Sequence, residues 1–310
     1  MKRLAFTCVA FFFALATWAN TSLRVVTTIA PIQSLVGAVT TGVTTPIALV
    51  PADVSEHTYA LRPSQALALQ QADIVFWIND DIETFFPSII PSLSPKQHVV
   101  KLIDAPGLIL LDKRNSENWP AHDHDDHTDH ARHETTSNPI DGHVWLNPIN
   151  ASYLVAYIAA QLSAIDPANA SQYQTNAQAL QQQLHTIDGQ LQEQLNPIKN
   201  KPYWVFHDAY HYFENRYQLN AQGAIALHPE QPLSAKRVQQ LQQQIMDSKT
   251  VCVFSEPPFF PAIIHTITEK TGVKTAILDP IGSAGALANA SGYFTLLHQL
   301  SDALVTCLQT

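Results

Sequence analysis

Residues 166–197 read DPANASQYQTNAQALQQQLHTIDGQLQEQLNP, and this stretch decides the architecture. Asp166-Pro167 is a helix-start signal: a capping residue, then a proline whose missing N–H is harmless at the first helical position. Tyr173, Ala177, Leu180, Leu184, Ile187, Leu191 and Leu195 then recur at steps of four and three, which makes one apolar stripe. Pro197 stops it. At 1.5 Å of rise per residue, a helix over Pro167–Leu195 is roughly 40 Å long, enough to run along two domains. Strand-rich sequence lies on either side, so the helix is expected to join two lobes.

Before it, Arg24–Ile29, Pro46–Val50, Asp73–Trp77 and Val99–Leu102 read as strands, with helical spacing over Ile32–Val39 and Pro63–Gln71. After it, the strand candidates are Tyr203–His207, Ala221–Ala226, Val251–Ser255 and Lys274–Leu278. The helical segments among them are Asp208–Tyr217, Ala235–Met246, Pro261–Thr271 and Tyr293–Cys307. Strand, helix and strand, repeated in each half, predict an α/β protein of two parallel-sheet lobes. The expected N-terminal lobe spans 20–165, the linking helix 166–196 and the C-terminal lobe 197–310. Within the first lobe, residues 113–138 are crowded with His, Asp and Glu and almost lack apolar side chains. Such a segment buries too little surface to offset its ordering entropy, so a mobile loop is expected there.

The N-terminus reads as an export signal. Met1-Lys2-Arg3 is basic, Leu4–Ala16 is an apolar run broken only by Thr7 and Cys8, and small residues follow at Ala14, Ala16 and Ala19. The run is too short for a spanning helix, so a cleaved signal over 1–19 is expected, with cutting after Ala19 or else Ala16. Cys8 would leave with it. Cys252 and Cys307 then remain, and two cysteines in an exported chain are expected to form one disulfide, worth roughly 4 kcal/mol in the chain-entropy account. The whole chain has 310 residues, 46% hydrophobic and 14% charged, enough for two cores. Its net charge of −9, with 17 scattered Lys and Arg, argues against a nucleic-acid partner.

Fourteen histidines fall into two groups. His57 lies in PADVSEHTYALRPS, after the strand ending at Val50. His143 lies in DGHVWLNP, between the acidic segment and the next helix. His207 closes the strand YWVFH, followed by Asp208 as the expected cap of a helix, and Asp279 follows the strand TAIL. Ligands of open α/β sheets bind outside the carboxyl ends of strands, where His207 and Asp279 stand. Three imidazoles and a carboxylate form a borderline-soft, tetrahedral set that suits Zn(II). Taken singly, each histidine is more often a core or surface group, and Asp279 before Pro280 also reads as a turn residue. The second group, His122, His124, His127, His130 and His133, is interleaved with Asp123, Asp125, Asp126 and Asp129. A tract of this kind binds metal weakly and raises its local concentration, or is simply solvated.

The segments EHTYALRPS, DGHVWLNP, VFHDAYHYFENRYQL, HPEQPLS, VFSEPPF and ILDPIG resemble the metal-binding solute receptors of ABC importers, specifically the ZnuA-type zinc proteins. The resemblance runs over nearly the whole chain after the signal. It implies two α/β lobes joined by a rigid helix, one Zn(II) held between them, a periplasmic location, and a membrane permease as partner. It also implies metal ligation by His57, His143 and His207, with Asp279 as fourth ligand and Glu56 or water as the alternatives. Related manganese and iron receptors carry glutamate where His207 stands, so this position favours zinc. A matching His-rich loop implies a collecting role for the bunched histidines. His211, one turn after His207, is expected to support the site without ligating, and His98, His185, His228, His265 and His298 to be structural. The chain is expected to act as a monomer and not as an enzyme. A zinc hydrolase is the alternative from another class; there is no H-E-x-x-H, nucleophile elbow or paired-carboxylate signature for one. A manganese or iron receptor, or a metal-dependent adhesin, would use the same scaffold.

Overall fold

The computed structural model describes residues 23–114, 139–226, 232–259, 261–282 and 291–309. The expected signal over 1–19 and the five bunched histidines lie outside these residues. Eight short strands, buried most fully at the centre, form two four-stranded sheets. In the first, β1 (Val25–Thr27), β2 (Ile47–Ala48), β3 (Ile74–Trp77) and β4 (His98–Lys101) lie in the order β2-β1-β3-β4. In the second, β5 (Tyr203–His207), β6 (Ala221–Ala226), β7 (Cys252–Ser255) and β8 (Lys274–Ile277) lie in the order β6-β5-β7-β8. Every pairing is parallel and the order is the same in both sheets, so the lobes repeat one topology. The central strands β3 and β5 are buried along their whole length, as parallel strands covered on both faces must be.

Helices α1 (Ala30–Val39) and α2 (Pro63–Gln70) belong to the first half, and α5 (His211–Tyr217), α6 (Ala235–Asp247) and α7 (Pro261–Thr268) to the second. Between them, α3 (Pro148–Ile165) pairs with the linking helix α4 (Ala170–Leu195). All seven stripe residues of α4 are buried, together with Asp188. The helix spans both lobes. Near its start Asn176 donates to the carbonyls of Val39 and Thr41 in the first lobe. Further on, Asp188 pairs with Arg216 and accepts from the Tyr217 hydroxyl on α5.

Two sequence expectations about helix starts are corrected. Pro167–Asn169 is a separate 3-10 turn and Asp166 caps nothing, because its carboxylate is taken by Asn169 Nδ2 and the Tyr173 hydroxyl, both at 2.7 Å. Nor does α5 begin at Asp208: it starts at His211, and Asp208 is engaged by Arg114 instead. At Asp208 a distant ion pair outcompetes local capping, whereas at Asp166 neighbouring neutral side-chain donors take the carboxylate.

The last helix, α8 (Gly292–Leu308), packs on α1 and α4 as well as β8, and Tyr293 N donates to Ser34 Oγ of α1 at 2.8 Å. The expected disulfide joins Cys252 of β7 to Cys307 of α8, with a Cα–Cα distance of 6.1 Å. No described helix is long and apolar enough to cross a membrane.

Candidate metal centre

His57, His143 and His207 come from three elements and meet. His57 sits in a 3-10 turn (Glu56–Thr58) between β2 and α2. His143 immediately precedes the 3-10 turn Val144–Leu146 that leads into α3, and His207 is the last residue of β5. Their ring centroids form a near-equilateral triangle, 5.6 Å for His57–His143 and 5.2 Å for each of the other two pairs. One ligand nitrogen from each lies within 4.8 Å of the other two. Two of the rings are deeply buried, so closeness of this kind invites a cation to offset crowded nitrogen lone pairs.

The supports decide which nitrogens face inward. His143 Nδ1 lies 2.7 Å from Asp141 Oδ1, His207 Nδ1 lies 3.0 Å from Glu256 Oε1, and His57 Nδ1 lies 3.1 Å from the Asp81 carbonyl. Each of these partners accepts, so each Nδ1 carries a hydrogen and the Nε2 lone pairs are left for a metal. Consistent with that, Nε2 of His57 and of His143 are buried and make no hydrogen bond. The supports are themselves held. Glu256 accepts from the Tyr210 hydroxyl at 2.9 Å, and Asp141 Oδ1 also accepts from the His143 backbone N–H. In the turn after β3, Glu83 accepts from Thr28 Oγ1 and the N–H groups of Ile78 and Asn79, and Asn79 Oδ1 accepts from Asp81 and Ile82.

Burial and charge pull the imidazoles apart. Burial, with His207 and His57 beside it, pushes His143 well below its ordinary range, so it stays neutral. Burial acts the same way on His207, but the Glu256 carboxylate, helped by Glu56 and Asp208, outweighs it and lifts the ring to about 9. Below about pH 9 His207 therefore carries a second proton, held by its pairing with Glu256. Burial also raises Glu56, Asp141 and, to about 7, Glu83.

The two expected carboxylates stand differently. Glu56 is buried, and its Oε1 lies 3.7 Å from His57 Nε2, at the edge of the triangle. Asp279 Oδ1 accepts from the backbone N–H groups of Ile281 and Gly282, which is the turn role its Asp-Pro context suggested. Neither belongs to the group of three. His211 lies outside the triangle too, its Nδ1 3.7 Å from Asp141 Oδ2.

With this geometry in hand, comparison with known proteins is decisive. The model of the ZnuA family, described as zinc-uptake complex component A, periplasmic, matches residues 25–307. The chain belongs to this family. A ZnuA relative from Brucella abortus (strain 2308), named a high-affinity zinc uptake system protein, is 38% identical over 305 residues, covering 92% of this chain and 91% of its own. A crystal structure of ZnuA superposes with a TM-score of 0.74 at 22% identity, over 91% of this chain and 99% of that one. The solute-binding protein FpvC from Pseudomonas aeruginosa, solved with Mn2+, gives 0.75 at 22%, over 93% and 99%. At such identities the likeness shows the fold alone. Membership in the ZnuA family makes the chain a periplasmic component of a zinc-uptake complex.

Sequence reading missed the residues that hold the three imidazoles, chiefly Glu256, Asp141 and Tyr210. Glu256 carries a usable signal: it follows β7 immediately, next to β5 in the sheet, where strand ends converge on ligands.

Proposed function

We propose that the protein captures one Zn(II) on Nε2 of His57, His143 and His207 and hands it to the permease of an ABC importer. The observation that carries this reading is the triangle of buried imidazoles whose Nδ1 sides are all taken by acceptors. Neutral imidazole is a borderline ligand that suits zinc, and among the described residues no thiolate joins the group to favour a softer ion. The fourth position goes to Glu56, Asp279 or water. Glu56 is the nearer to the triangle here, and Asp279 is close enough to act on the Tyr210 hydroxyl. A carboxylate in that place closes the coordination and suits capture, whereas a retained water is what a hydrolase needs. The supporting residues aim the ligands and none is placed as a base beside an open position, which favours a receptor over an enzyme. The exported form begins after the signal at 1–19 and acts as a monomer, with the histidines at 122, 124, 127, 130 and 133 serving collection.

Competitive titration of the mature protein against Zn(II) and Mn(II), with and without residues 115–137, tests the reading. One tight zinc equivalent that survives the deletion and outcompetes manganese is expected. Preference for manganese, or loss of tight binding with the deletion, overturns it.

A further inference from the structure

The short stretch Leu111–Arg114 touches the supports of His143 and His57 and the residue that follows His207. Leu111 O accepts from Asp141 N at 2.9 Å, and Asp141 holds His143. Lys113 pairs with the carboxylate of Asp81, whose carbonyl holds His57. Arg114 forks onto both oxygens of Asp208, the residue after His207, and its Nη1 lies 2.8 Å from Glu214 Oε2 on α5. Leu111 N donates to the Tyr212 hydroxyl at 3.0 Å, and that hydroxyl donates onward to Asp141 O at 2.9 Å. The stretch is pinned in turn by Lys113 N donating to Pro139 O at 2.8 Å and by the bridge between Asp112 and Ile140. Sequence reading had put Lys113 in the mobile loop; here it and Arg114 are anchored.

These contacts cross the cleft. Asp81 follows β3 of the first lobe, whereas Asp208, Tyr212 and Glu214 follow β5 in the second. The Arg114 side chain is only 16% exposed and Glu214 only 4%, so parting the lobes would strip a buried guanidinium from two carboxylates. His57 and His207 approach from opposite lobes with ring centroids 5.2 Å apart. Zinc–nitrogen bonds of about 2.0–2.1 Å leave little tolerance for separation of the two sides. We propose that Leu111–Arg114 is an inter-lobe clasp that governs how fast bound metal leaves, with Arg114 as its principal positioning residue. This rests on the reading of the three histidines as the zinc site.

The test uses the mature protein, its disulfide intact, as wild type, as Arg114→Ala, and as the triple variant Arg114→Met/Asp208→Asn/Glu214→Gln. The triple variant leaves no buried charge without its partner, so it serves where Arg114→Ala fails to fold; thermal melts identify the folded variants. Zinc off-rates are read by stopped-flow chase with a chromophoric chelator. Inter-lobe distance in the metal-free state is read by pulsed electron resonance between spin labels at the exposed positions Lys96→Cys and Lys270→Cys. Off-rates roughly 10–100-fold faster, the range seen when supporting partners are lost, are expected together with a broadened distance distribution. A folded variant with an unchanged off-rate, or a faster one with an unchanged distribution, overturns the clasp. Failure of the wild type to hold zinc tightly would instead refute the site itself, whatever the distances show.

Discussion

The proposed zinc site predicts that binding is coupled to the release of a particular proton, and that one substitution takes the coupling away. His207 is lifted to about 9 because Glu256 Oε1 sits 3.0 Å from its Nδ1 in a buried setting. Zinc needs the Nε2 lone pair, so below pH 9 the metal must displace that proton. At pH 7 the ring is neutral about one part in a hundred, which lowers the apparent affinity about 100-fold, or roughly 3 kcal/mol. Affinity should rise about tenfold per pH unit from 7 to 9 and then level off. His143 adds no slope in this window, because burial already keeps it neutral. Titration calorimetry at pH 7.5, in buffers of different ionisation enthalpy, counts protons directly: about one from His207 is expected. Glu256→Gln keeps an acceptor for Nδ1–H but removes the charge, so the ring returns toward its ordinary value and release falls to roughly a fifth of a proton or less. The same pair sets the stability of the metal-free form. A histidine raised on folding stabilises fully below its unfolded value near 6.5 and loses that contribution as pH rises through 9, so the metal-free melting temperature should fall across that interval. Wild-type release below half a proton at pH 7.5, or equal release from Glu256→Gln, refutes the reasoning.

Other perturbations separate ligand from bystander. His57→Ala, His143→Ala and His207→Ala should each weaken zinc about 100-fold or more, since structural zinc yields about 10–16 kcal/mol over four ligands; His124→Ala should change the tight site less than twofold. Equal effects by competition titration would count against the triangle. Deleting residues 115–137 should lower the zinc stoichiometry by mass spectrometry while the tight equivalent stays. Gly142→Ala places a Cβ 2.5 Å from Ile82 Cγ1 and 2.7 Å from Asn79 Oδ1. It should destabilise the fold by about 1–3 kcal/mol in denaturant melts and weaken zinc as well, because it pushes the turn holding His57 away from His143.

The seven-residue stripe of α4 was legible because helical periodicity is written in neighbouring positions, and all seven are buried. The two sheets were legible for the same reason: β3 and β5 are continuous apolar runs, and burial on both faces demands them. The three histidines were named from the motifs that carry the family resemblance, with only His207 standing at a strand end. Local sequence did not show what holds them. Glu256 is 49 residues from His207, and Arg114 is 94 from Asp208. Such partners meet only when β7 lies beside β5 and the lobes face each other. The helix start misread at Asp208 has the same origin, since its carboxylate pairs with distant Arg114, whereas Asp166 is taken by the nearby Asn169 and Tyr173 side chains. The amino-acid sequence by itself determined the two lobes, their connecting helix and which imidazoles were available. Only the tertiary structure decided which nitrogen of each ring points into the triangle and which ring is paired with a buried carboxylate 49 residues away, because those acceptors are set by the fold.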